Sequence, residues 1–268
     1  MSYVALTYWD LVLASLLLLI NGAISFGFRL NLERSLAISA VRMVLQLALI
    51  AVLLKFIFAS DAFWPTLLFA MLMLAATGYE VASHQSRRIS GWRGYALAGG
   101  PPFAAGLVTA LFAVTAIIGA EPWYAPRFFL PILGMIVGNA LAGAGLVLDT
   151  IADGANRERQ VIETRLALGQ SRFVAMSDIM RRSVRAGMLP IMSMMATAGI
   201  VAIPGMMTGQ ILAGAEPGDA AKYQIMILFL IAGATGLAVL SAACGSVLLM
   251  TDERHRLRLE RLQSNGSP

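Results

Sequence analysis

Apolar residues gather along the chain in seven runs, at about 8–28, 36–59, 63–82, 96–118, 128–149, 188–212 and 224–250. A bilayer crossing takes about 20 such residues as a helix, so each run is long enough. The pattern predicts an all-α, polytopic membrane protein with about seven transmembrane helices. It is expected to form a single membrane domain over 1–268. Polar positions concentrate in a long connection at about 150–187 and a tail at 251–268. The sixth run is the least regular. Its end, "IPGMMTGQILAG" (203–214), places Pro204, Gly205, Met206, Met207, Thr208, Gly209 and Gln210 inside an apolar stretch.

Composition supports lipid as the solvent. Of the 268 residues, 58% are hydrophobic and 13% charged, against about 25% charged in soluble domains. The same numbers exclude disorder. A net charge of +5 would suit nucleic acid, but the positions of the charges argue otherwise, and no nucleic-acid partner is expected. Sixteen basic residues fall on alternate connections: Arg29 and Arg34; Arg87, Arg88 and Arg93; seven arginines from Arg157 to Arg185; and Arg254, Arg256, Arg258 and Arg261. The opposite connections hold only Arg127 and Lys222. By the positive-inside rule, the N-terminus lies outside and the tail in the cytoplasm of the cell inner (plasma) membrane. The basic surface is thus mostly topological, with anionic lipid as a contact. No Lys or Arg precedes the first run and Asp10 sits near its start, so that run reads as a retained helix rather than a cleaved signal. The lone Cys244 lies in the seventh run and supplies no disulfide framework.

Several chemistries are missing. Neither lysine, Lys55 or Lys222, belongs to a GxxxxGK[ST] loop, so the chain lacks that means of gripping nucleotide phosphates. His84 and His255 form no HExxH or Cys/His cluster. No catalytic residues and no bound cofactor are expected in this chain.

The long connection contains "NRERQVIETRLALGQSRF" (156–173), which is helix-forming and free of proline. At about 100° per residue, Val161, Ile162, Leu166 and Leu168 fall within an arc of roughly 160°, with Arg165 intruding. Gly169 ends the run as a C-cap glycine would. Two readings fit: a helix lying on the membrane surface, or a helix docking into a groove on a cytoplasmic partner.

In the sixth run, Pro204 in a helix would strip the Ile200 carbonyl of its partner, and a free carbonyl in lipid costs several kcal/mol. Gly205 and Gly209 would allow close backbone approach or unwinding. Met206 and Met207 offer soft thioethers that could contact a metal, and Gln210 offers an amide. Such a break lines a transport path or forms a hinge, or it is a structural kink. Elsewhere, Gln46 lies one turn deeper than Arg42 on the second run and is expected to face the bundle, as interhelical glue or cargo contact. Asn139 sits mid-membrane in "GMIVGNALAGAG". There Gly134, Gly138 and Ala142 form a small-residue stripe suited to close packing, Asn139 and Gly143 continue it on the next row, and Asn139 could also face a path. Glu80, at the cytoplasmic end of the third run, is expected to meet arginine rather than metal.

Glu163 followed six residues later by Gly169 looks like the start of the coupling-helix motif of ABC importer permeases. Thr164 and Arg165 replace its two alanines, and Leu189-Pro190 comes later than that pattern wants. "VIETRLALGQSR", "GIVAIPGMMTGQILAGAEPGDAAKYQI" and "VRMVLQLALI" together resemble the FetB-type permease family, bacterial iron-export permeases and plant aluminium-tolerance relatives, over nearly the whole chain. The resemblance implies an ABC permease working with a separate ATP-binding subunit that carries ATP and Mg. It implies export of iron or another metal, although some plant relatives are linked with nucleotide sugars. Glu163, Arg165, Leu168 and Gly169 would then couple the ATPase to transport. ABC transporters need two membrane halves, so a second copy of this chain is expected. A self-sufficient secondary transporter is the competing class. It should carry a membrane carboxylate for ion coupling, yet Asp10, Glu80 and Asp149 all sit at the edges of runs.

Overall fold

The computed structural model describes residues 7–60, 62–85, 87–89, 91–252 and 256–264. The first three runs become α1 (Tyr8–Gly27), α2 (Glu33–Ser60) and α3 (Phe63–His84). A short strand β1 (Arg87–Ile89) leads to α4 (Trp92–Phe112), which continues as a π-helical turn through Ile118. Then come α5 (Pro126–Arg157), α6 (Arg159–Ala167), α7 (Arg172–Ala175), α8 (Ser177–Thr197), α9 (Gly205–Leu212), α10 (Pro217–Met250) and β2 (Leu262–Ser264). Among the described residues, six helices are long and apolar enough to cross a membrane: α1, α2, α3, α4 with its π-turn, α5 and α10. Arg254 and His255 lie outside the described residues.

The chain divides into two compact units, one of Met1–Asp61 with Leu212–Ala215, the other of Ala62–Ile211 with Glu216–Pro268. In the first, α1 and α2 are joined by a turn. The Ser25 hydroxyl donates to Glu33 at 2.8 Å and accepts from the Leu32 N–H at 2.9 Å. That satisfies backbone the turn would otherwise leave free.

In the second unit, α3, α4, α5, α8 and α10 form a bundle. Glycine sets its closest approaches. A Cβ on Gly99 would meet the Gly78 Cα at 2.6 Å, and one on Gly187 would meet the Gly143 carbonyl at 2.7 Å. Gly154 lies against Ile179 in the same way. As α5 advances from 143 to 154, its neighbour on α8 runs back from 187 to 179, so the two helices are antiparallel. The core between them continues into α10 through Ala144, Val147, Ile151, Val239, Ala243 and Val247, all buried.

Three expectations change. The 150–187 connection is nearly all helix: α5 runs about two turns past the apolar segment, and α6, α7 and the start of α8 fill the remainder. The 188–212 run is two helices, not one. Of the Gly134–Gly138–Ala142 stripe, only Gly134 meets a neighbour, Met73 of α3 at 3.5 Å from an added Cβ. A Cβ on Gly138 would touch nothing within 4 Å, and Gly138 and Ala142 are exposed. Gly143, one row over, makes the contact instead. A small-residue stripe permits close packing but does not say which stripe a neighbour uses.

The tail folds back on the bundle. The Arg258 N–H donates to the Met250 carbonyl at 2.8 Å, and β2 pairs antiparallel with β1. Asp252 is held below the ordinary carboxylate range, chiefly by the Arg256 backbone N–H. A depressed acid stabilises the fold above its unfolded value and ceases to do so as pH falls through the folded one, so this clamp persists at neutral pH.

Candidate functional site

The α6 segment is closed at its end by a complete Schellman motif. The Gly169 N–H donates to Leu166 and the Gln170 N–H to Arg165, with Gly169 at φ +83°. Only glycine reaches that backbone region without a Cβ penalty, so the sequence reading of Gly169 as a C-cap holds. The apolar arc divides in two. Ile162 is 1% exposed and Leu166 packs on the same core, whereas Val161 and Leu168 are exposed, Leu168 at 75%. The whole arc therefore does not face a partner. Arg165 disturbed the arc because it faces inward. Its Nη2 pairs with Asp178 at 2.9 Å and its Nη1 donates to the Ala175 carbonyl at 3.3 Å. Arg182 of α8 pairs with Glu158 just ahead of α6. Glu163 is half-exposed and pairs with Arg159 at 2.8 Å. Exposed pairs of this kind contribute at most about 1 kcal/mol each, but together they register α6 on α8. Phe173 and Val174 on α7, which packs against α6, are exposed as well.

At the far end of α8 the helix stops at Thr197, seven residues before Pro204. Gly199, at φ +86°, turns the chain. The Thr197 carbonyl accepts N–H groups of Ile200, Val201 and Ala202, and the Gly199 N–H donates to Ala202. Pro204 does not kink a helix as expected. It caps a new one, its carbonyl accepting the Thr208 N–H at 3.0 Å and the Thr208 hydroxyl at 3.2 Å. Pro suits that place because its missing N–H costs nothing ahead of a first turn. The break is a seven-residue loop, 198–204, with Ile200, Val201 and Ile203 exposed. Gly205 and Gly209 sit in open space, with nothing within 4 Å of an added Cβ, so no backbone of the described chain approaches them closely. Met206 and Met207 are half-buried on α9. Neighbouring helical residues project about 100° apart, so one direction sees one thioether, not two. The Gln210 Oε1 is buried and has no hydrogen-bond partner among the described residues.

The remaining candidates stand apart. The Asn139 amide donates to the Met135 carbonyl of its own helix at 2.8 Å. Gln46 is exposed on α2, on a face shared with Ile38, Val41, Arg42 and Leu45, not buried within its unit as expected. Because α2 is apolar all round, its pattern gave no face to choose. Glu80 and Asp149 line a cavity of about 350 Å³ between α3 and α5. Among the described residues no group of three His, Cys, Asp or Glu side chains converges on a point.

Sequence reasoning missed three buried polar groups. Ser183 on α8 and Gln224 and Thr235 on α10 each have a buried oxygen without a partner among the described residues. Thr235 lies against Gly143 at the α5–α8–α10 seam. Their identity alone could not reveal this. Thr66, Thr77 and Ser246, in similar apolar runs, bond the carbonyl four residues back.

A model described as "Uncharacterised protein family (UPF0014)" matches residues 8–248. The chain belongs to this family. Among UPF0014 relatives, a membrane protein of Synechocystis is 33% identical over 205 residues, 75% of this chain and 77% of its own. The "Probable iron export permease protein FetB" of Escherichia coli is 29% identical over 267 residues, 96% of this chain and 97% of its own. "Protein ALUMINUM SENSITIVE 3" of Arabidopsis thaliana is 29% identical over 229 residues, covering 85% and 82%. No solved structure matches. The FetB-type resemblance read from the motifs thus agrees with the UPF0014 match. The chain is a multi-pass UPF0014 membrane protein whose relatives are named as membrane proteins and permeases.

Proposed function

We propose that this chain is the membrane-spanning subunit of an ABC-type exporter, moving a metal cation, with iron the first candidate. It performs no ATP hydrolysis. A separate subunit carries ATP and Mg, and two copies of the chain complete the transporter in the inner membrane, with α6 on the cytoplasmic side. The observation that carries this reading is the α6–α7 hairpin. It is capped by Gly169 and pinned to α8 through Arg165 and Glu158, yet it leaves Val161 and Leu168 exposed to a partner. A surface helix serving only to lie on lipid has no need of that inward registration. The printed name of the Escherichia coli relative supports metal as cargo.

The test is co-purification. The full chain, extracted from native membranes, is expected to bring an ABC ATP-binding subunit with it, and deletion is expected to raise cellular iron. In the same cells, an impermeant thiol reagent should label a cysteine placed at Gly218 and not one at Arg172. A chain that transports in purified vesicles without any ATPase would sink the proposal in favour of a secondary carrier.

The α9 methionines make a separate prediction. Met206→Leu with Met207→Leu keeps volume, at a cost under about 1.5 kcal/mol, so the protein is expected to fold. If a thioether meets the cargo, export by the double variant falls several-fold. Export at the original rate leaves α9 as the far side of a hinge and removes the ligand role.

A further inference from the structure

Where α10 leaves the bundle, the tail turns back and encloses an open pocket of about 590 Å³. Five arginines line it, from three parts of the chain: Arg93 on the first turn of α4, Arg172 opening α7, and Arg256, Arg258 and Arg261 of the tail. One acid, Asp252, lines it with them. That carboxylate is already engaged. Its Oδ1 accepts the Arg256 N–H at 2.8 Å, and its Oδ2 accepts from the Arg256 and Arg258 side chains at 3.2 Å each. Arg258 also donates to Glu260, and Arg261 to the Leu249 carbonyl. Arg93 and Arg172 meet no carboxylate among the described residues. With Asp252 in the lining and Glu260 paired to Arg258, the five guanidiniums still leave three positive charges unbalanced among the described residues.

Like charges gathered on one open surface repel one another weakly, and an anion shared among them turns that repulsion into attraction. Guanidinium forks match the oxygens of a phosphate in pairs, which ammonium groups do not. The source of the phosphate is indicated by what surrounds the pocket. Leu248 and Leu249 form one wall, Leu248 on the exposed face of a membrane-spanning helix. Trp92, adjacent to Arg93, is 76% exposed, as an aromatic anchor at the headgroup level would be. A ligand with a phosphate at one end and hydrocarbon at the other fits both walls.

We infer that this pocket holds the headgroup phosphate of an anionic phospholipid, with Arg93 and Arg172 as its principal partners and the acyl chains along Leu248. The lipid would join α4, α7 and the tail across the end of the bundle. Basic residues at a membrane surface each favour anionic lipid by roughly fivefold.

The experiment measures lipid retained by the purified full chain by native mass spectrometry, in equimolar phosphatidylglycerol and phosphatidylcholine. The natural chain is expected to retain phosphatidylglycerol in preference by about tenfold or more. Arg93→Gln with Arg172→Gln should reduce that preference to near unity. Arg93→Lys with Arg172→Lys should keep part of it, which separates lost charge from lost fold. Arg127→Gln, at the other end of α5, should leave it unchanged. Equal retention by the natural chain, or an unchanged preference in the double Gln variant, overturns the inference. Release of the lipid by millimolar glycerol phosphate reassigns the pocket to soluble phosphates and overturns the lipid reading. So does a double Gln variant that keeps its lipid but no longer binds an ATP-binding subunit.

Discussion

Gly187→Val is expected to destabilise the bundle by about 3 kcal/mol or more, enough to prevent recovery of folded protein. A Cβ at 187 would lie 2.5 Å from a Val147 methyl and 2.7 Å from the Gly143 carbonyl. The second contact is backbone, which no rotamer change relieves. Overpacking of a tight core typically costs 1–3 kcal/mol when side chains alone must move. Here α5 and α8 must separate, opening the seam that Val239 and Thr235 of α10 also close. Gly138→Ala and Gly205→Ala are the controls, since each added methyl meets nothing within 4 Å. Both should be neutral, or stabilising by up to about 1 kcal/mol through helix propensity. Denaturation of the purified variants in detergent reads all three. A Gly187→Val protein as stable as the parent would mean that the helices do not meet there.

The second large effect concerns the exposed half of α6. Val161→Asp with Leu168→Asp puts charge on two exposed side chains, Val161 at 49% and Leu168 at 75%, so folding should be retained. Interface anchors contribute about 2 kcal/mol each when lost, so binding of the ATP-binding subunit should weaken on the order of a thousandfold and export should stop. Ile162→Asp, one residue from Val161, should behave differently. It buries an unpaired carboxylate at a 1% exposed position, so folded protein itself should be lost. Full co-purification of the ATPase with the double variant would place its docking surface elsewhere.

Most of the architecture could be read from hydropathy because lipid imposes a length on every helix that crosses it. The runs at 8–28, 36–59, 63–82 and 96–118 match α1 to α4 within a few residues. Where a helix leaves the bilayer, length is no longer constrained. That is why α5 and α10 extend past their apolar segments and why 150–187 looked like a connection. The Gly169 cap was legible because a left-handed residue ending a helix selects glycine. The inward face of Arg165 was not, since its partner Asp178 lies thirteen positions away and only the turn through α7 brings it near. The break in the sixth run was legible as a break but misplaced. Proline drew attention to 204, while the conformation that ends α8 belongs to Gly199, and glycine fits many conformations equally well. The arginine pocket was hidden for the same reason as Arg165. Its members come from positions 93, 172 and 256–261, and topology alone had already explained each as a cytoplasmic charge.

Gly187 is the central residue of α8, ten positions from Ser177 and ten from Thr197. At about 1.5 Å per residue, each half of the helix is about 15 Å long. The tight seat on Gly143 therefore divides the helix into two equal arms. One arm ends at the α6–α7 hairpin, held by Arg165 and Arg182, and the other ends at the loop 198–204, where the helix is free of α9. The hairpin arm is seated a second time, Ile179 against Gly154, while the other arm carries Pro190 within the helix, so the hairpin end is the more firmly anchored of the two.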